Sequence, residues 1–351
     1  MKTRVSLLLL LCLLLPMVPL HHASAQVVEF TDSAGRTVQL PAQITRIAPS
    51  GPVAQMVLMA LAPERFVGLA SPYDHGEEQY IPGIQHLPVI GQLYGTRGDL
   101  NLEELARLDP QVVIDIGEPK KTVAEDMDAL QEQLGIPCVH ITMHLSDAGD
   151  AYRKLGELLG LREKAEEIAV FCDSVYARAQ DVLGRAGDSK ASLLYCLGDQ
   201  GLNVIAKGSF HGELLDLVGD NAAVVDSPSS KGTGNEVDME QLYLWDPQFI
   251  VFAPGSVYAD AGSDPLWQGL RAIREGRFVQ APQGPYNWMG FPASVQRLLG
   301  VLWLQKVLYP DLADYDLQAE VTRYYKLFYG CELTDAQYEE LTRNAFPGTG
   351  I

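Results

Sequence analysis

Several short motifs that mark catalytic and nucleotide-binding sites are missing from this chain. It has no G-x-S-x-G elbow, no Walker A loop, no HExxH pair and no G-x-G-x-x-G segment that enters a helix. The glycine-rich segment 231–235 lacks the spacing of a phosphate-binding loop and is typical of an ordinary loop. The sequence offers no catalytic constellation, and we predict that the protein is not an enzyme.

Cysteine and positive charge are both scarce. The 351 residues include five cysteines, and 26 Lys and Arg stand against 45 Asp and Glu, for a formal net charge of -19. This excess of negative charge argues against nucleic acid or an anionic membrane as a partner, although a pocket can be locally basic. No CxxC or zinc-binding spacing is present, and the wide spacing of Cys138, Cys172, Cys196 and Cys331 identifies no disulfide pairing.

Only the first residues contain a long apolar run. Lys2 and Arg4 precede an apolar stretch from Val5 to Leu20, and Ala23-Ser24-Ala25 has the A-x-A pattern of a cleavage site. A membrane anchor is the alternative, but the run is short for a span and two prolines interrupt it. We predict a signal peptide that is cleaved after Ala25, which leaves an exported, soluble protein.

One segment of the chain is repeated 137 positions later. Leu102 to Ile114 matches Met239 to Val251, with Glu, Leu, Asp, Pro and Gln in register. Each copy predicts a short helix that ends at Asp-Pro, because the residue before proline disfavours the α conformation, and then a strand buried on both faces. The repeat predicts two similar α/β lobes, and a cleft between lobes is a common place for a small ligand.

The segment from Asp147 to Gly187, between the two copies, carries no strand signal. Its apolar residues keep a helical period, which predicts a long helix from Arg162 to about Leu183, whereas strands and helices alternate on either side. We therefore predict an α/β fold of two parallel-sheet lobes, joined by a single long helix, with the ligand cleft between the lobes. The predicted divisions are a signal peptide over 1–25, an N-terminal lobe over 26–160, a linker helix over 161–187 and a C-terminal lobe over 188–351.

The order of these elements resembles one family along nearly the whole mature chain. The segments that carry the resemblance are Asp32 to Arg36, Asn101 to Leu105 running on to Asp109-Pro110, Gly212 to Gly219, Leu266-Trp267 and Gly276 to Phe278. They are similar to the helical-linker class of ABC-transporter substrate-binding proteins, which serve importers of iron-siderophores, haem and cobalamin. The resemblance implies a monomeric receptor in the periplasm that captures a solute between its lobes and delivers it to an ABC permease.

Loops at the carboxyl ends of the strands are expected to supply the ligand contacts. Aromatic side chains in these predicted loops suit stacking on a planar chelate, a porphyrin or a corrin. They are Tyr73, Tyr94, Phe210, Tyr258, Tyr286 and Trp288. Arg97 and Lys207 lie in the same loops, and an anionic ferric chelate or a propionate would favour such cations.

Two glutamates match positions that dock onto the permease in the family that the chain resembles. Glu103 stands in Asn-Leu-Glu and Glu213 in Gly-Glu-Leu-Leu, one in each predicted lobe. Exposed charges of this kind steer and orient an encounter more than they add affinity. An acid favoured by the helix dipole in a first helical turn is the alternative for both residues.

The ligand predicted from the resemblance is an iron chelate of the siderophore type. The alternatives are haem, cobalamin, or a bare or chelated transition metal on the same fold, and an exported enzyme on a two-lobed scaffold is less favoured. His140 and His144 have i, i+4 spacing, but the sequence shows no convergence of three or four ligands, so we predict no cofactor and no metal ligand. The chelate itself stays open, because chelate pockets differ by a few loop side chains.

Overall fold

The computed structural model describes residues 26–73, 79–81, 83, 86–94 and 98–348. The predicted signal peptide over 1–25 and the predicted ligand residue Arg97 lie outside the described residues. Everything that follows concerns the described part of the chain.

The N-terminal lobe contains a three-stranded parallel sheet preceded by an antiparallel hairpin. Its strands are β1 (Val27–Thr31), β2 (Thr37–Pro41), β3 (Ile47–Pro49), β4 (Val112–Gly117) and β5 (Cys138–Thr142). The hairpin pairs β1 with β2, and the sheet has the order β3-β4-β5. Strand β4 is buried along its whole length, as expected for a parallel sheet that is covered on both faces. Its helices are α1 (Pro52–Leu61), α2 (Leu102–Leu108), α3 (Val123–Leu134) and α4 (Ala148–Leu159).

The C-terminal lobe has a six-stranded mixed sheet. Its strands are β6 (Ser192–Leu197), β7 (Asn203–Val204), β8 (Asp220–Asn221), β9 (Asn235–Glu236), β10 (Phe249–Phe252) and β11 (Phe278–Gln280). The order is β11-β10-β6-β7-β9, with β8 also paired to β6. Strands β6, β8, β10 and β11 are parallel, as the alternation of strands and helices predicts, while β7 and β9 add antiparallel pairs at one edge.

One long helix connects the lobes. Helix α5 (Arg162–Ala186) has 25 residues and spans roughly 37 Å at the standard helical rise. The predicted helix from Arg162 to about Leu183 is therefore confirmed. The helices that follow are α6 (Glu213–Val218), α7 (Met239–Trp245), α8 (Tyr258–Ala261), α9 (Arg271–Arg274), α10 (Arg297–Leu308), α11 (Leu317–Tyr324) and α12 (Asp335–Leu341), with a π-helical turn over Tyr325–Tyr329.

Both copies of the repeated segment fold as a helix, a tight turn and a buried strand. The turn residues Asp109 and Asp246 have φ of 48° and 34°, a left-handed conformation that ends each helix before its proline. The following Gln111 and Gln248 each accept a backbone N–H bond at the start of the neighbouring strand, at 3.1 and 3.2 Å. The Asp-Pro-Gln pattern recurs because it performs the same helix-to-strand junction in each lobe.

The last helices of the chain return to the N-terminal lobe. The Phe328 ring packs edge-on against Tyr152 of α4 at 6.0 Å between centroids, and Tyr325 packs against Tyr80 at 5.4 Å. The largest apolar cluster consequently includes residues of both lobes. The two lobes share a continuous core, which favours small relative movements over a wide opening.

Helix α4 packs closely on the linker helix α5 at Gly156. A Cβ at this position would lie 2.4 Å from the Ala165 Cβ and 3.3 Å from the Arg162 Cα. We expect Gly156→Ala to lower the free energy of unfolding by about 1 kcal/mol or more, because the two helices must separate. Urea unfolding measures this change.

Gly184 is the matched control, because it lies inside α5 and a Cβ there would meet no atom within 4 Å. Gly184→Ala should raise the free energy of unfolding by about 0.5–1 kcal/mol, since glycine is the more flexible residue in the unfolded chain. Shifts of the same sign in the two variants would contradict the close helix contact.

The described helices do not have the length and apolarity of a membrane span, and the described cysteines form no disulfide. Among the described residues, no helix is both long enough and apolar enough to cross a membrane. Cys138, Cys172, Cys196 and Cys331 are all buried and free. Burial raises the pKa of each thiol, as expected for sulfur atoms that pack as small apolar groups.

Candidate functional site

The lobes meet at a narrow cavity beyond the carboxyl ends of the N-terminal strands. Its N-terminal wall is formed by Val53, in the first turn of α1, and by residues 143–145, which follow β5. Its C-terminal wall is formed by residues 293–295 and by Arg297 at the start of α10. The cavity volume is ≈ 10 Å³, about the space of one water molecule. This position agrees with the rule that ligands of open α/β sheets bind beyond the carboxyl ends of strands.

A hydrogen-bonded group of four residues crosses from one lobe to the other beside this cavity. Glu213, the first residue of α6, contacts the His144 Nδ1 at 2.5 Å through one carboxylate oxygen. Its other oxygen accepts the Leu145 N–H at 3.1 Å and pairs with the Arg297 guanidinium at 3.1 Å. We call Glu213, His144, Leu145 and Arg297 the interlobe network.

Arg297 is the buried cation of the interlobe network. Its side chain is only 2% exposed, and its Nη1 donates to the Phe210 carbonyl at 2.6 Å. The guanidinium also stacks on the Phe210 ring, 4.7 Å from the centroid. Burial lowers the pKa of Arg297, and the Glu213 carboxylate opposes this shift. An arginine held in this way remains charged, and the Glu213 carboxylate faces it within the interlobe network.

A second buried polar group supports the N-terminal wall of the cavity. Asp115 on β4 accepts a hydrogen bond from the Ser50 hydroxyl and contacts the His140 Nδ1 at 2.7 Å. The other ring nitrogen of His140 lies 3.2 Å from the Thr142 hydroxyl. Ser50 immediately precedes the segment that enters α1, so Asp115 fixes the position of that helix start. The serine contacts the carboxylate and not the imidazole, so this group lacks the serine–histidine contact of a nucleophile.

Three of the predicted aromatic ligand residues lie at the lobe interface. The rings of Tyr73 and Tyr286, one from each lobe, meet edge-on at 6.2 Å between centroids. Phe210 meets the His144 ring at 5.5 Å and so contacts the interlobe network.

Tyr94 lies beside the start of α1, because the preceding Leu93 N–H donates to the Ser50 carbonyl at 2.7 Å. The Tyr94 hydroxyl donates to the Asp126 carboxylate at 2.9 Å, and burial raises the pKa of Tyr94.

The structure places two other predicted aromatic residues in the core. Trp288 is 0% exposed and belongs to the largest apolar cluster. Tyr258 is 7% exposed and packs between Phe252 and Phe278. Both follow strands in sequence, but their rings complete the packing of the C-terminal lobe and do not line the cavity.

Lys207 pairs with a residue at the amino end of a strand of the C-terminal sheet. Its Nζ is 2.5 Å from the Asp220 carboxylate, on the strand that pairs with Ser192, the first residue of β6. The sequence placed Lys207 in a cleft loop on the expectation of an all-parallel sheet. The antiparallel strand β7 instead carries the chain back toward the amino end of β6 before Lys207, and the chain reaches the interface again at Phe210.

The two predicted docking glutamates have different environments. Glu103 is exposed in the first turn of α2. The Glu213 side chain is 24% exposed, and both of its oxygens are bonded within the interlobe network. The resemblance implied a matched pair of exposed acids, whereas the structure shows one exposed acid and one bonded acid.

Ser294 and Arg297 are cavity residues that were not among the sequence candidates. The sequence contains one indication of a buried Arg297, which directly precedes the apolar segment Leu298 to Leu304. A charged residue next to such a segment is expected to be buried together with a partner. Within the described residues, no group of three or more His, Cys, Asp or Glu side chains is arranged to hold a metal ion.

Comparison with known proteins agrees with this architecture. Residues 78–285, more than half of the chain, match the family model described as periplasmic binding protein. The chain belongs to this periplasmic binding protein family. The resemblance to ABC-transporter substrate-binding proteins of the helical-linker class is thereby confirmed, and members of this family are solute-binding proteins that work with ABC permeases.

Individual relatives extend the similarity over most of the chain. The molybdate-binding protein MolA of Haemophilus influenzae is 24% identical over 329 residues, which cover 85% of this chain and 90% of that protein. The Fe(3+)-citrate-binding protein YfmC of Bacillus subtilis is 23% identical over 196 residues, which cover 55% of this chain and 60% of that protein. A solved ABC-transporter solute-binding protein from Sulfurospirillum deleyianum is 26% identical, with a TM-score of 0.81 over 89% of this chain and 98% of that one.

Proposed function

We propose that this solute-binding protein captures an anionic, oxygen-rich metal species between its lobes, and that a compact oxyanion of the molybdate type is the first candidate. The observation that carries the proposal is the buried Arg297 beside the small interlobe cavity. A fixed guanidinium favours an anion, and the shared core, which allows only small movements of the lobes, favours a ligand of few atoms.

The starts of two helices add to the attraction for an anion. Helix α1 begins at Pro52 and α10 begins at Arg297, and the first turn of each contributes a side chain to the cavity wall. The amino end of a helix carries partial positive charge and favours negative groups. The MolA relative, which aligns with 85% of this chain, is a molybdate-binding protein, and this agrees with a compact oxyanion.

An iron chelate of the siderophore type is the second candidate. Tyr73, Tyr286 and Phe210 place aromatic rings at the lobe interface, where they suit a larger organic ligand once the lobes part. The relative that binds ferric citrate supports the same candidate over a shorter stretch. Haem, cobalamin and bare transition metals rank below these two, and so does an exported enzyme on this scaffold.

Delivery requires the ligand-loaded protein to meet the permease of an ABC importer in the periplasm. We propose that the protein is exported with cleavage after Ala25 and works as a monomer. Glu103 is our candidate for docking on the N-terminal lobe, because it is exposed in the first turn of α2. We propose that Glu213, whose two oxygens are bonded within the interlobe network, joins the lobes.

Titration calorimetry of the purified wild-type protein tests the proposal. The panel consists of molybdate, tungstate, sulfate, ferric citrate, a ferric catecholate siderophore, haem and cobalamin. We expect saturable binding of one molybdate or tungstate per chain. Binding of only a ferric complex would select the second candidate, and binding of only haem or cobalamin would refute both.

A further inference from the structure

The turn that leads into α10 contains a buried hydroxyl whose hydrogen bonding is incomplete. Ser294 is 5% exposed and lines the interlobe cavity. The Ser294 carbonyl accepts two hydrogen bonds, from the Arg297 backbone N–H at 3.1 Å and from the Arg297 Nε at 3.3 Å. Its Oγ has no hydrogen-bond partner among the described residues. Buried hydroxyl groups are nearly always bonded, so this atom calls for a specific explanation.

The neighbours of Ser294 are already committed to one another. The Arg297 guanidinium is shared between the Phe210 carbonyl and Glu213, and the Glu213 carboxylate also holds His144. None of these groups turns toward the serine hydroxyl in the described structure. Ser294 thus brings a buried hydroxyl that has no partner among the described residues to a space of about one water molecule between the lobes.

We propose that Ser294 is a ligand-binding residue whose hydroxyl donates a hydrogen bond to one oxygen of the bound anion. The assignment rests on the proposed function and deepens it, because it names the atom of the protein that recognises an oxygen of the solute. Hydroxyl groups bond strongly to anionic oxygens, and the buried Arg297 three residues further on supplies positive charge beside the same cavity. An oxygen of molybdate and a carboxylate oxygen of ferric citrate have the chemistry that this donor requires.

A donor that waits for its ligand has a different signature from a structural serine. Removing a structural hydroxyl lowers stability, because it breaks a bond within the folded protein. Removing a buried hydroxyl that has no partner leaves the stability of the free protein unchanged or raises it. Ser294→Ala should therefore weaken ligand binding without weakening the fold.

Calorimetric titration of Ser294→Ala with molybdate, and separately with ferric citrate, tests the assignment. We expect the dissociation constant of the bound probe to rise about tenfold to a hundredfold, the range for losing a hydrogen bond to a charged group. The thermal midpoint of the free variant should equal or exceed that of wild type. Ser263→Ala is the matched control, because Ser263 is exposed and its hydroxyl donates to the Asp260 carbonyl at 3.1 Å; its affinity should equal that of wild type.

Wild type and Ser294→Ala, titrated side by side, separate the role of Ser294 from the binding of the solute. If wild type binds a probe and Ser294→Ala binds it equally well, the assignment is wrong while the proposed function stands. A lower thermal midpoint of Ser294→Ala with unchanged affinity would identify a structural serine and also overturn the assignment. If wild type binds neither probe, the proposed function fails and the assignment fails with it.

Discussion

Replacing Glu213 by alanine is expected to lower the free energy of unfolding by about 3 kcal/mol, the effect of removing one partner from a buried ion pair. The variant leaves the guanidinium of the 2%-exposed Arg297 without its carboxylate, and it removes the acceptor of the Leu145 N–H. His144 loses its partner across the interface at the same time. Chemical denaturation followed by circular dichroism measures the change.

Glu103→Ala is the matched control for this experiment. Glu103 is also a glutamate in the first turn of a helix, but it is exposed, so its replacement should change stability by less than about 0.5 kcal/mol. Glu103→Ala also tests docking: if Glu103 contacts the permease, the variant should transport less solute while its affinity for the solute equals that of wild type. Equal stability of the two variants would show that the interlobe network contributes nothing to the fold.

Replacing Asp115 by alanine is expected to have a comparable effect, a loss of about 2–5 kcal/mol. The residue is 6% exposed, and its carboxylate bonds two other buried groups, the Ser50 hydroxyl and the His140 ring. Each buried polar group that is left without its partner costs about 1–3 kcal/mol. We also expect weaker ligand binding, because Ser50 leads into α1 and the first turn of α1 forms part of the cavity wall.

Asp128→Ala provides the comparison in the same lobe. Asp128 is 68% exposed and forms an ion pair with Arg36 at 2.8 Å, so its loss should cost less than about 1 kcal/mol. Asp115→Asn should fall between Asp115→Ala and wild type, because the amide keeps an acceptor for one of the two partners. An Asp115→Ala variant as stable as Asp128→Ala would contradict the role of this buried group.

The fold could be predicted from the sequence where local chemistry determines it. The Asp-Pro-Gln junctions formed as expected, since proline and the left-handed Asp109 and Asp246 end each helix independently of the rest of the chain. The period of α5 was visible because 25 residues provide many turns of repeated burial. The family resemblance could be recognised because it depends on the order of such local features along the chain.

The site was harder to predict, because contacts between distant segments determine it. Lys207 was expected in a cleft loop, but the preceding strand β7 is antiparallel to β6 and Lys207 pairs with Asp220. Trp288 and Tyr258 follow strands, as ligand residues do, but the packing of the lobe buries them. The bond between Glu213 and His144 joins residues 69 positions apart, and no local pattern indicates it.

The most direct measurement is anomalous X-ray scattering at the molybdenum absorption edge from crystals grown with molybdate. We expect one strong peak per chain at the lobe interface, within reach of the Ser294 hydroxyl and beside the start of α10. The peak should weaken or disappear in Ser294→Ala crystals grown under the same conditions. A peak on the outer surface of one lobe, or no peak at molybdate concentrations that saturate binding in solution, would contradict an oxyanion site between the lobes.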